Sequence, residues 1–186
     1  MATESIAIIG PMGVGKTTVS RKIAQALGLH YIDVDELRWD YFSQQPDFDH
    51  QVTKTLYESG NAAGAFQYMK PFEAGYVEAI VEKYSAAVLD FGAGYTVYTD
   101  QALFGRVQAC FKPFGHVVFL RYSPDPKESL EALQHRHAEA PAELFKMLNR
   151  EFIESPCNGI LATCIVDTKD KTADEVAKEV IKRVSS

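Results

Sequence analysis

The chain has 186 residues, 46% hydrophobic and 24% charged, enough to bury one core, so a single domain over residues 1–186 is expected. A net charge of -6 without a lysine and arginine cluster sets nucleic acid aside as the main partner, although a small anion needs only a local positive site. No apolar run approaches bilayer length and the start MATESIAIIG lacks signal-peptide features, so a cytoplasmic protein with no membrane partner is expected.

In chain order, Ser5 to Ile9 reads as a buried strand and Lys16 to Leu27 as a helix, with Gly28 as its C-cap. His30 to Val34 reads as a second short strand. From about Glu36 to Tyr84 the sequence is rich in aromatic residues, Gln and Glu without strand-like alternation, which predicts several helices crossing one side of the sheet. Ala86 to Phe91 predicts a third strand, Asp100 to Phe111 a helix, His116 to Arg121 a fourth strand and Pro126 to His135 another helix. A fifth strand, Thr163 to Val166, precedes a last helix near Thr172 to Val184, where Thr172 and Glu175 form a capping box. Strands separated by helices imply parallel units with right-handed crossovers, hence a three-layer α/β fold with ligands at the carboxyl ends of the strands. Cys110, Cys157 and Cys164 are odd in number and lack C-x-x-C spacing, which argues for buried thiols rather than a disulfide framework or a zinc site.

Between the first strand and the first helix stands 10-GPMGVGKT-17, which fits the phosphate-gripping pattern G-x-x-x-x-G-K-[ST] at Gly10, Gly15, Lys16 and Thr17. Its glycines let successive amide groups turn toward an anion, and the following helix adds its positive end. Gly10, Pro11, Met12, Gly13, Val14, Gly15, Lys16, Thr17 and Thr18 are therefore the candidate ATP-binding segment. Lys16 would reach the β- and γ-phosphates, and Thr17 would ligate Mg²⁺.

Further on, 31-YIDVDEL-37 places Asp33 and Asp35 two apart at the end of the second strand, a spacing that sets both side chains on one side of an extended backbone. One carboxylate can hold a Mg²⁺-bound water while the other accepts the proton of a substrate hydroxyl; helix capping is the competing use. In 86-AAVLDFGAGYTVY-98 the strand ends in Asp90, resembling a Walker B acid that holds Mg²⁺, and Gly92 and Gly94 permit close backbone approach; ordinary turn chemistry is the alternative.

The run GPMGVGKTTVSRKIAQALGLHYIDVDEL resembles the opening of shikimate kinases, in which a P-loop, a helix of the form R-x-[LI]-A-x-x-L-G and a D-x-D strand end follow at this spacing. The resemblance implies a five-stranded parallel sheet of order 2-3-1-4-5, a helical substrate-binding region over 35–84 and a lid over about 134–148. It implies ATP and Mg²⁺, with Thr17, Asp33 and Asp90 toward the metal and Asp35 as the base. Arg136 would close over the nucleotide phosphates, and Arg150 would meet the acceptor.

Three departures stand at the acceptor end. The family's three-glycine turn corresponds to 91-FGAG-94, with two glycines. Gln67 in 66-FQYMKPFE-73 stands where the family carries a carboxylate-binding arginine, leaving Lys70 as a candidate replacement charge without arginine's bidentate fork. The segment 135-HRHAEAPAELFKMLNREF-152 lacks the family's R-P-L-L lid text.

Most of the aromatic residues between Trp39 and Tyr76 are expected in the core of the helical region, while any that line a pocket would make the acceptor less polar or more planar than shikimate. The resulting expectation is an ATP-dependent kinase acting on a hydroxyl of a small metabolite, monomeric or weakly dimeric. A nucleoside or nucleotide kinase, and an ATP-binding protein without kinase activity, remain the alternatives. Guanine-reading N-K-x-D is absent, and the loop 167-DTKDKT-172 is assigned to adenine by fold analogy.

Overall fold

Apolar runs too short for helices, each closed by a turn, build the sheet. The computed structural model describes residues 4–134 and 142–185. Strands β1 (Ile6–Ile9), β2 (His30–Asp33), β3 (Ala87–Asp90), β4 (His116–Arg121) and β5 (Cys164–Asp167) pair in parallel in the order β2-β3-β1-β4-β5, as expected. β1 and β3 are buried along their whole length because both neighbours and both faces are covered.

Side-chain alternation splits the core in two. Ile6 and Ile8 face one layer with Val19, Ile23, Val176 and Val180, contributed by α1 (Lys16–Leu27) and α9 (Ala173–Val184). Ala7 and Ile9 face the other with Val77, Ile80, Phe104 and Val107, from α4 (Ala62–Lys83) and α5 (Gln101–Phe111). The helix bounds follow local chemistry. Gly28 closes α1 in the left-handed region, its N–H donating to the Ala24 carbonyl. Asp100 caps α5 through the amides of Ala102 and Leu103, and Thr172 and Glu175 form the expected capping box on α9.

The long region after β2 resolves into α2 (Val34–Phe42), α3 (His50–Glu58) and α4, the last running 22 residues through Pro71. Phe42, Phe66 and Tyr76 are buried there, in line with a core role, whereas Trp39 and Tyr57 stay substantially exposed. A 3-10 turn (Ala93–Thr96) follows β3, and α6 (Pro126–Leu133) follows β4. The expected lid, about 134–148, lies partly outside the described residues, as does Arg136; from Ala142 onward the chain is helix, α7 (Ala142–Glu154), then α8 (Cys157–Leu161). Neither helix was foreseen, because α7 is read from its own amphipathic face only once it has a partner to bury it against. Among the described residues no helix is long and apolar enough to cross a membrane.

Candidate active site

The loop between β1 and α1 sits at the carboxyl end of the sheet. Gly10, Gly13 and Gly15 all take positive φ, of 145°, 76° and 99°, which L side chains rarely adopt. A Cβ at Gly10 would run into the Leu120 carbonyl, so the loop is seated against the end of β4. Gly15 precedes α1 directly, leaving the helix's first amides to face an anion. Met12, Gly13, Gly15, Lys16, Thr17 and Thr18 line a cleft of about 1080 Å³; Gly10, Pro11 and Val14 are buried and shape the loop from behind. The Lys16 ammonium donates to the carbonyls of Gly10 and Pro11, both at 2.9 Å. Burial lowers its pKa, while the Asp90 and Asp35 carboxylates favour the charged form.

Asp33 and Asp35 do not share one side of a strand. β2 ends at Asp33 and α2 begins at Val34, so Asp35 lies in the first helical turn. Asp33 is the N-cap: its Oδ1 accepts from the amides of Asp35 at 3.1 Å and Glu36 at 3.4 Å. The cap and the site coexist, since Asp33 and Asp35 both line the cleft. Asp90 stands beside Asp33 in the parallel register of β2 and β3. The Tyr31 hydroxyl lies 3.2 Å from Asp33 Oδ2 and 3.1 Å from Asp90 Oδ2, and with one proton it donates to one carboxylate at a time. Burial, then the two carboxylates, push the Tyr31 hydroxyl well above its usual range. Burial raises the Asp90 carboxyl too, opposed first by the Thr17 hydroxyl and then by Lys16. Tyr31 was missed in the sequence, although its place two residues before Asp33 put it on the same strand face.

Oxygen donors only, two facing carboxylates and a threonine hydroxyl are the donor set a hard cation such as Mg²⁺ takes, with phosphates and water completing the shell. No cluster of three or more His, Cys, Asp or Glu able to hold a metal by itself occurs among the described residues.

The opposite end of the cleft departs from the sequence expectations. Gly92 and Gly94 line it, and Gly92 is there for close approach: a Cβ would stand 2.6 Å from Asp35 Oδ2. Lys70 does not line it. Its ammonium is buried on Glu73 Oε2 at 2.8 Å and the Gly94 carbonyl at 2.6 Å, over the rings of Phe66 and Tyr98. It therefore holds the turn after β3 against α4 rather than presenting a free charge. Gln67 is exposed and outside the lining, as is Arg150; from α7 it is Leu148 and Phe152 that reach the cleft.

Two side chains that the sequence reading passed over shape the cleft, Arg38 from its lining and Asn149 from behind the phosphate loop. Arg38, one turn beyond Asp35, places Nη1 2.8 Å from Asp35 Oδ1 and stacks near the Trp39 ring at 4.8 Å. It is the only arginine lining the cleft among the described residues. Asn149, fully buried on α7, accepts from the Met12 N–H at 2.8 Å and donates to the Met12 carbonyl at 3.2 Å, fastening α7 to the phosphate loop. The D-x-x-R spacing of Asp35 and Arg38 was a legible helical signal. Nothing local marked Asn149, whose partner is 137 residues away.

Comparison with known proteins agrees with this geometry. The shikimate kinase family model matches residues 12–185. A shikimate kinase of Colwellia psychrerythraea is 26% identical over 186 residues, covering 97% of this chain and 96% of that protein. Among solved structures, a shikimate kinase from Acinetobacter baumannii in complex with shikimate superposes with a TM-score of 0.69 at 22% identity, covering 98% of this chain and 93% of the other. A gluconokinase from Sinorhizobium meliloti superposes with a TM-score of 0.60 at 19% identity, covering 99% and 93%.

Proposed function

Because the chain belongs to the shikimate kinase family, small-molecule kinases that move a phosphoryl group from ATP to a hydroxyl, we propose which residues carry that transfer here. Lys16 and the loop amides of residues 13–18 hold the transferring phosphoryl group and stabilise the charge that develops on it. Thr17, Asp33 and Asp90 face a Mg²⁺ ion bound with the nucleotide, which when present neutralises phosphate charge and orients the chain of phosphates. Asp35 accepts the proton of the acceptor hydroxyl. Its place in the first turn of α2, beside Gly92 in the cleft that the phosphate loop also lines and close enough to influence Lys16, is the observation that carries this reading.

Phosphoryl transfer asks the protein for position and electrostatics rather than for covalent chemistry. Asp35, at the mouth, is exposed enough to meet an incoming acceptor, and Gly92 leaves room beside it. The lid, about 134–148 with Arg136, excludes water in this reading. The acceptor is a small hydroxylated metabolite. A nucleotide acceptor would need further cations for its phosphate, whereas Arg38 is the only arginine lining the cleft among the described residues.

The test is coupled ADP release with Mg-ATP against shikimate, gluconate, cyclitols and nucleoside monophosphates, run beside Lys16→Ala and Asp35→Asn. Turnover stimulated by one compound and lost in both variants supports the assignment. ATP binding without acceptor-stimulated turnover by any compound favours a nucleotide-binding protein without kinase activity.

A further inference from the structure

The acceptor end of the cleft contains two buried side-chain donors without a hydrogen-bond partner among the described residues. Arg38 Nε has no hydrogen-bond partner, although Nη1 of the same guanidinium is spent on Asp35. Tyr95, only 3% exposed, has a hydroxyl that meets hydrogen-bond geometry with no described residue, although it lies close enough to the Arg38 guanidinium for each to influence the other. Both side chains line the cleft. A buried donor left unmade is costly and native interiors rarely keep one, so two of them on neighbouring side chains that line one cleft point to a ligand oxygen there.

The surroundings narrow the ligand further. Glu73 is already tied to Lys70, and Asp35 engages Nη1 of Arg38, so among the described residues neither carboxylate takes up the two unspent donors. Trp39, Tyr57, Phe66 and Phe152 supply flat, apolar walls to the same cleft. A ligand with one apolar face and oxygens at its edge fits such a lining.

We propose that Arg38 and Tyr95 read the acceptor: they bind an oxygen of a compact hydroxylated compound whose apolar face rests on the aromatic wall, which places a neighbouring hydroxyl against Asp35. The guanidinium thus enters from α2, whereas position 67 on α4 faces solvent. Arg38 has a double task, because it pairs with the base and with the acceptor and so ties occupancy of the pocket to the placement of Asp35. The oxygen belongs either to a carboxylate or to a neutral hydroxyl or carbonyl, since both accept from N–H and O–H donors. This inference rests on the kinase reading, and the test separates the two.

Trp39 is the only tryptophan of the chain and lines the cleft next to Arg38, so its fluorescence reports acceptor binding without turnover. Shikimate and gluconate, as hydroxy acids, and myo-inositol and adenosine, as neutral compounds, are titrated into the full-length protein with Mg-ATP. Trp39 emission and ADP release are followed for wild type, Arg38→Gln, Arg38→Lys and Tyr95→Phe. The expected result is one compound that shifts Trp39 emission and stimulates ADP release. Its Kd and KM rise about tenfold to a hundredfold in Arg38→Gln and about tenfold in Tyr95→Phe, the loss a charged or neutral hydrogen bond implies, while KM for ATP and the melting temperature stay close to wild type. Arg38→Lys recovers part of the affinity for a carboxylate and little for a neutral oxygen, as a point charge without the fork should.

Acceptor KM and Kd within twofold of wild type in both Arg38→Gln and Tyr95→Phe overturn the assignment and leave the kinase reading standing. A compound that binds with the expected losses in the variants yet never stimulates ADP release upholds the assignment and overturns the kinase reading. Four compounds that neither move Trp39 nor stimulate turnover overturn both.

Discussion

At the phosphate end, the groups that would hold a ligand are backbone amides and one lysine delivered by residues 10–17. At the acceptor end they are side chains drawn from α2, α4, α7 and the turn after β3. The first arrangement depends on loop conformation, which glycines, a strand and a helix start impose locally. The second depends on which long side chains meet, and it can be rewired without moving the backbone. In this chain the lysine of α4 is spent on a buried pair, and an arginine of α2 faces the cleft instead. A phosphate site built on backbone is therefore legible in a local stretch of sequence, while an acceptor site built on side chains is not.

The largest expected effect breaks the buried pair behind the acceptor end, of which Glu73 lines the cleft and Lys70 does not. Lys70→Met strands the Glu73 carboxylate in an interior where both partners are less than a tenth exposed, and should cost about 3–5 kcal/mol of stability in urea unfolding. Lys70→Met with Glu73→Leu should recover most of that loss, because an apolar pair needs no compensation. If the double variant is as unstable as the single, the ion pair does not hold this end together.

The phosphate end should respond in turnover rather than in folding. Lys16→Ala is expected to lower kcat roughly 10²–10³-fold, the range for removing one preorganised charge from a transition state, with little change in melting temperature. A loss of similar size in stability would mean that the bonds from Lys16 to the Gly10 and Pro11 carbonyls brace the loop rather than await a phosphate.

Asn149 joins the two ends, since α7 grips the phosphate loop through it. Asn149→Ala leaves both Met12 backbone groups unpaired in the protein and should cost about 1–3 kcal/mol. Amide exchange at residues 12–15 should speed up accordingly, whereas unchanged exchange would confine Asn149 to packing.

The smallest effect concerns Asp90, whose carboxyl burial holds above its ordinary value of 3.8. Between the unfolded value and that raised value the folded chain binds more protons than the unfolded one, so stability falls as pH rises through the window and stays lower above it. Asp90→Asn removes that loss. It should gain on the order of 1 kcal/mol at pH 7, about 2–4 °C in Tm, and less near pH 4, while turnover with Mg-ATP drops. Equal gains at both pH values would show that Asp90 does not titrate in this way.

What the sequence held about this protein was whatever short-range physics writes: the strand and helix order from apolar periodicity, α1 from Lys16 to Leu27 with its Gly28 cap, the capping box on Thr172, and the phosphate loop. The candidate acids Asp33, Asp35 and Asp90 were equally legible, because strand ends and Gly turns mark them. Only the tertiary structure decided which charges face the cleft. Lys70 turns inward because Glu73 and the Gly94 carbonyl wait there, and Arg150 and Gln67 point outward because their helix faces do. Asn149 reaches Met12 across most of the chain. Such choices depend on desolvation and on partners brought from distant segments, and a linear pattern contains neither until the helices have packed.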